Sequence, residues 1–285
     1  MKSQKGKSGK SGKSTKNKKP VKLAARKMSA AVFIIACIVS VLLDVWLYDS
    51  LNTVPAAQNS AQSQVQTATT SSIATTPLGP NKTIYLTFDM DMDESMYQKA
   101  LNQKELWYDP ELFEYLESQN IPATFFASGL FLEAYAALIK NLATDANFSF
   151  QNHSYDESSF VPNCYWLQTL TTDAEKTAQI AQTESLIQQT TGQTATFFRF
   201  PGVCTDPQND ALVQNLGYQI EDGTIISGDP FTNNTQAIVN AVVDQARSGG
   251  VVIMHVGGPN APKSLDAIEQ IIPALRAKGY RFAKL

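Results

Sequence analysis

The feature that most limits what this chain can fold into is a change of pattern at Asn81. From there to Leu285, short apolar runs of strand length alternate with capped or amphipathic stretches of helix length. Residues 83–87, 123–127, 148–151, 197–200, 218–221, 251–255 and 280–283 read as strands. Helices are predicted from Asp109-Pro110 onward and over residues 132–142, 172–189, 209–216, 235–247 and 265–278. The firmest is 172–189, where Thr172 and Glu175 have capping-box spacing and Gly192 supplies a stop. Alternating units over residues 81–285 predict one α/β domain on a parallel sheet, open or closed. Sites in such folds gather where strands end, at the C-terminal edge of the sheet.

The first 80 residues are of another kind. Of the 23 Lys and Arg, 11 lie between Lys2 and Lys27 with no acid among them, whereas from Asn81 onward the remaining 12 face 24 Asp and Glu. A net negative body argues against nucleic acid as a partner, which needs a basic footprint on the folded part. Residues 1–27 are read as a basic cytoplasmic tail and 28–48 as a transmembrane signal anchor. That run carries only Asp44 as a charge and ends near Trp46 and Tyr48, and its cationic flank sets the N-terminus inside. The alternative is a signal peptide cut near Val54-Pro-Ala, which would release the body in secreted form. Residues 49–80, rich in Ser, Thr, Gln and Ala, are expected to be a disordered stalk. On either reading the body, taken as a monomeric ectodomain, lies outside the cell. There Cys164 and Cys204 can pair, two free thiols being the alternative; Cys37 falls in the anchor.

Polar residues recur at the ends of the predicted strands. Asp89 and Asp91 follow an apolar strand, and two carboxylates so close are costly unless a cation or shared proton relieves them; turn chemistry is the plainer reading. The chain has only two histidines, His153 and His255, and each follows an apolar run. If the segment after His153 turns helically, Glu157 shares its face and the pair could clasp one metal, with Asp156 as a competing ligand. Arg199 could be an apolar stem packed on rings, or could hold a catalytic carboxylate in place. Asp229 in Ser-Gly-Asp-Pro could be a turn residue or the partner of an imidazole. Together these groups meet the needs of acetamide hydrolysis: a Lewis acid, a base for water and an acid for the leaving amine.

In order, Leu86-Thr-Phe-Asp, Asn152-His-Ser-Tyr-Asp-Glu, Phe198-Arg-Phe-Pro-Gly, Ser227-Gly-Asp and Val252-Ile-Met-His resemble the five motifs of the polysaccharide deacetylase (NodB-homology) family, from about Thr83 to Leu285. The resemblance implies a distorted (β/α) barrel, here preceded by the single transmembrane helix. It also implies removal of acetyl groups, chiefly N-acetyl, from sugars such as those of peptidoglycan or chitin-like polymers. Carried over residue by residue, Asp89 is the general base, His153 a metal ligand, Arg199 the group that orients Asp89, and Asp229 the partner that tunes His255, the general acid. The backbone N–H of Gly202 would help to stabilise the oxyanion. The implied cofactor is a divalent metal, zinc first, with manganese or another transition metal as alternatives. Three positions depart from the family. Met90 separates the two aspartates, so Asp91 takes the ligand role by analogy; Glu157 stands where a second histidine is usual; and Pro230 replaces an aromatic that often lines the sugar pocket. An anion at position 157 lowers the Lewis acidity of the metal, which makes a glycan-binding protein without catalysis the alternative function.

Overall fold

The computed structural model describes residues 82–285. The predicted tail, anchor and stalk (1–27, 28–48 and 49–80) lie outside the described residues. Among those described, no helix is long and apolar enough to cross a membrane.

Eight strands form one all-parallel sheet: β1 (Lys82–Met90), β2 (Ala123–Ala127), β3 (Phe148–Asn152), β4 (Phe197–Phe198), β5 (Gln219–Ile220), β6 (Ile225–Ile226), β7 (Gly250–His255) and β8 (Tyr280–Ala283). The order is β5-β4-β3-β2-β1-β7-β6, with β8 on the lower part of the β1 edge that also carries β2. Among the described residues the path ends at β5 and β6 without closing, so the barrel expected from the sequence is a curled, open one. The central position of β1 explains its sequence: after Tyr85 every side chain of the strand is buried, as a strand covered on both faces requires. Phe125 on β2 anchors the core, its ring 5.2–5.7 Å from those of Phe88, Phe113, Phe148 and Phe150.

Among the described residues, eight helices of four or more residues connect the strands: α1 (Glu94–Gln103), α2 (Pro110–Ser118), α3 (Gly129–Ala134), α4 (Ala136–Leu142), α5 (Asp173–Thr191), α6 (Pro207–Asn215), α7 (Thr235–Val243) and α8 (Ser264–Ala277). The predicted caps are present: Asp109 accepts from Glu111 N–H ahead of Pro110, and Thr172 and Glu175 form the reciprocal box of α5, which ends at Gly192 in the left-handed region. Three elements differ from the sequence reading, the first being the two-residue strand β6, which none of the expected strands covers. Helix α1, capped by Asp93, falls where a loop was expected; it fully buries no side chain, and its apolar face is limited to Met96, Tyr97 and Ala100, which pack only partly against the core. The single helix expected over 132–142 starts earlier, at Gly129, and breaks at Tyr135, whose hydroxyl accepts from Trp107 N–H and donates to the Glu105 carbonyl.

Cys164 and Cys204 form a disulfide. It ties the irregular segment after β3 to the turn Pro201–Val203 that follows β4. Gly202 lies beneath it at φ 63°, and a Cβ there would come within 2.8 Å of Cys164 Sγ, so the close approach requires glycine. The bond spans 40 residues. Replacing both cysteines by serine is expected to cost about 2–4 kcal/mol, read as a lower denaturant midpoint with a slope that is, if anything, steeper because the unlinked unfolded chain exposes more surface. An unaltered midpoint would mean that other contacts hold the loop.

Candidate active site

Register determines which side chains meet. Asp89 on β1 pairs with His255 on β7, and Asn152 on β3 pairs with Phe198 on β4, so His153 and Arg199 leave their strands side by side. Asp91, Asp229 and Gly202 follow β1, β6 and β4. All eight site residues expected from the sequence line or underlie one rim: Asp89, Asp91, His153, Glu157, Gly202, Asp229 and His255 line a cavity of about 610 Å³, and Arg199 lies beneath it.

On one side, Arg199 is fully buried. Its Nη1 donates to Asp89 Oδ1 at 2.6 Å, its Nε donates to the Glu221 carbonyl at 2.8 Å, and its guanidinium lies 3.9 Å from the centre of the Phe126 ring. Both readings of this arginine therefore hold: it packs on an aromatic face and also fixes a carboxylate. Asp89 Oδ1 is committed to Arg199, which leaves Oδ2 for the cavity.

On the other side, His255 Nδ1 donates to Asp229 Oδ1 at 2.8 Å, and His255 Nε2 lies 3.2 Å from Asp91 Oδ2. Asp229 is the more constrained partner. Its Oδ1 also accepts from Ser227 Oγ, and its Oδ2 accepts from the His255 backbone N–H and from Ser264 Oγ at 2.6 Å. Burial by itself would lower the proton affinity of His255, but Asp229 and then Asp91 outweigh it and raise its pKa well above the ordinary value.

Between these pairs lies the candidate cation site. Asp91 Oδ1 is 3.4 Å from His153 Nε2, and Glu157 Oε1 is 3.8 Å from the same nitrogen. Two atoms each about 2.1 Å from one ion at a tetrahedral angle lie about 3.4 Å apart, so the first separation is that of shared coordination. One ligand atom from each of Asp89, Asp91 and His153 also lies within 4.8 Å of the others. His153 Nδ1 donates to the Arg199 carbonyl at 2.9 Å, which points Nε2 into the cluster as the coordinating atom. Asp91 Oδ1 and Glu157 Oε2 are buried with no hydrogen-bond partner, an expensive state that a cation relieves. The residues present thus fit a divalent metal.

The electrostatics agree. Burial would depress the pKa of His153, but Glu157, Asp89 and Asp91 overcome it and hold it up to about 9. Burial, then the neighbouring Asp91, raises Glu157 well above the carboxylate range, whereas His255 and His153 overcome burial and hold Asp91 below it. The cluster retains protons where a metal would replace them.

Two expectations need correction or extension. Residues 153–157 do not turn helically: Ser154 and Glu157 both have positive φ, 65° and 64°, and Ser154 N–H donates to Asn152 Oδ1. This looped path, rather than a shared helix face, brings Glu157 to His153. Asp156 instead accepts from Ser158 N–H. Sequence reasoning missed Ser264, which reads as a helix start, and Asn260, whose Nδ2 donates to Asp91 Oδ2 at 3.1 Å. No local pattern marks either one.

Comparison with known proteins agrees with the geometry. Residues 78–220 match the family model described as polysaccharide deacetylase. A peptidoglycan-N-acetylglucosamine deacetylase of Bacillus cereus is 28% identical over 189 residues, 64% of this chain and 63% of that protein, so the chain spans less than two thirds of this relative's length. A bifunctional xylanase/deacetylase of Pseudobutyrivibrio xylanivorans is 26% identical over 60% of this chain and 27% of its own. The crystal structure of a peptidoglycan N-acetylglucosamine deacetylase superposes with a TM-score of 0.61 at 25% identity, covering 73% of this chain and 88% of the other.

Zinc binding is expected to release protons at neutral pH. His153 carries one up to about pH 9 in the ion-free protein, and only the neutral ring coordinates, so affinity should climb with pH and level off above that value. Calorimetry in buffers of different ionisation enthalpy measures the release. A pH-independent affinity would mean that His153 is not a ligand.

Proposed function

This chain belongs to the polysaccharide deacetylase family, and we propose that it is a metal-dependent hydrolase that removes acetyl groups, chiefly N-acetyl, from a cell-wall or extracellular polysaccharide such as peptidoglycan or an N-acetylglucosamine polymer. The observation that carries this reading is the pair of buried carboxylate couples, Arg199–Asp89 and Asp229–His255, set on either side of Asp91 and His153.

Asp91, His153 and Glu157 would hold the metal, which when bound polarises the acetyl carbonyl. Asp89, oriented by Arg199, takes a proton from the attacking water through Oδ2. The water oxygen bonds to the carbonyl carbon, and the negative charge that develops on the acetyl oxygen is met by the Gly202 N–H. His255, with Nδ1 tethered to Asp229, gives its Nε2 proton to the departing amine as the C–N bond breaks, leaving acetate and a free amino sugar. A cation on Asp91 would remove that carboxylate's share in holding the His255 proton, leaving Asp229 as its anchor.

We also propose that the domain works outside the cell, held by the anchor at 28–48 and acting as a monomer. The Cys164–Cys204 bond supports the extracellular part, because such bonds persist in oxidising compartments.

Acetate release from acetylated glycans should be abolished by chelation and restored by zinc or manganese. Asp89→Asn and His255→Ala should each lower kcat by about 10²–10⁴-fold. Full activity in either variant, or no release with any divalent metal, would remove the reading.

A further inference from the structure

We propose that Asn260 makes this site selective for an acetamide over an acetyl ester: its Oδ1 accepts the N–H of the acetylated nitrogen, a hydrogen that an ester oxygen does not carry. It rests on the hydrolase reading for the place of the leaving atom, and adds a distinction that metal, base and acid do not themselves make.

Asn260 ends the short turn Gly258–Asn260 after β7 and lines the same cavity as Asp91 and His255. Its Nδ2 donates to Asp91 Oδ2 at 3.1 Å. A carboxylate that holds a metal can only accept, so the amide nitrogen, not the oxygen, faces Asp91. That bond fixes which way the amide is turned. Among the described residues no group donates to Asn260 Oδ1, which is left for the cavity. The acceptors around it are already filled: the Asp229 oxygens by Ser227, Ser264 and His255, and Asp91 Oδ2 by Asn260 itself.

The turn is held on both sides. Gly258, at φ 67°, backs onto the chain at Trp107 and Tyr108, where a Cβ would come within 2.7 Å of backbone atoms. Ahead of it, Asp109 N–H donates to the Val256 carbonyl at 2.8 Å. After it, Ala261 is buried and its carbonyl accepts from both the N–H and the Oγ of Ser264. An amide fixed before substrate arrives loses little entropy on pairing.

One shared oxygen sets the placement. His255 Nε2 lies 3.2 Å from Asp91 Oδ2, the atom that also receives Asn260. Two donors on one carboxylate oxygen stand about 5 Å apart, and an atom about 3 Å from each bridges them on the cavity side. The leaving atom must come within such reach of Nε2 to take its proton. If it is nitrogen, its N–H fills Oδ1 and its lone pair turns toward the His255 proton as the C–N bond breaks. If it is an ester oxygen, lone pairs meet lone pairs. The bond that Oδ1 made to water is then lost without return.

The test uses the purified chain at saturating zinc and two probes that differ at one position: a β-linked N-acetylglucosamine tetramer, and a β-linked glucose tetramer acetylated at O2. Calorimetry in the Asp89→Asn background, which should bind without turnover, reports affinity; acetate release reports kcat/KM. The readout is the amide-to-ester ratio, so the greater inherent reactivity of esters cancels between enzymes. The unaltered site should bind the acetamide about tenfold more tightly than the ester. Asn260→Leu, close in shape but without an acceptor, and Asn260→Ala should each lower the ratio about tenfold, in affinity and in kcat/KM. A separate zinc titration of these variants measures what the Nδ2 bond to Asp91 contributes. Weakened zinc binding with an unchanged ratio would mean that Asn260 serves Asp91 alone, which overturns the proposal. An ester bound as tightly as the acetamide by the unaltered site overturns it too, and that comparison stands even where a variant fails to fold. An affinity ratio that depends on Asn260, with no acetate released from either probe, keeps this inference and removes the hydrolase reading. Acetate release at a ratio that Asn260→Leu leaves unaltered does the reverse.

Discussion

The crowding of negative charge at one edge of the sheet is the constraint on which the rest of this structure depends. Asp89, Asp91, Glu157 and Asp229 converge there with two imidazoles between them. Left in water, these carboxylates would stay apart; the parallel register of β1 with β7, and the loop after β3, bring them together. Each is then answered differently. Asp89 has a buried arginine, Asp229 has two serine hydroxyls and a histidine, and Asp91 with Glu157 keeps oxygens that no protein group satisfies. On the proposed mechanism that division would separate base, acid and cation positions within one cavity, because environment rather than residue type assigns the roles of chemically similar groups.

Much of this arrangement was legible in the sequence because it is local. A polar residue directly after an apolar strand must emerge at the sheet's C-terminal edge, so Asp89, Arg199 and His255 could be assigned to one rim without coordinates. The α5 capping box involves Thr172 and Glu175 alone and was visible for the same reason. What was hidden depends on distant partners. The break at Tyr135 is set by bonds to Glu105 and Trp107, and Ser264 acquires its meaning only from Asp229, 35 residues earlier. The approach of Glu157 to His153 was expected for the wrong reason: two left-handed residues, which spacing rules do not foresee, make the turn. Strand β6 is only Ile225–Ile226, too short to give a periodic signal, yet it delivers Ser227 and Asp229.

The disulfide gives two loops a common mechanical fate. It holds the Gly202 turn, which lines the cavity, and the exposed Tyr165–Trp166 segment to one another. Sequence placed both cysteines in loops beside motifs; only the fold reveals that the bond joins the inner and outer parts of one groove.

Arg199 carries a further consequence. Its charge is sealed under the cavity with Phe126 against it, out of reach of dissolved ions. A surface couple such as Lys263–Asp266 weakens as counterions gather around it, but no counterion can enter between Arg199 and Asp89. The alignment of that carboxylate is therefore insensitive to ionic strength, unlike that of an exposed couple.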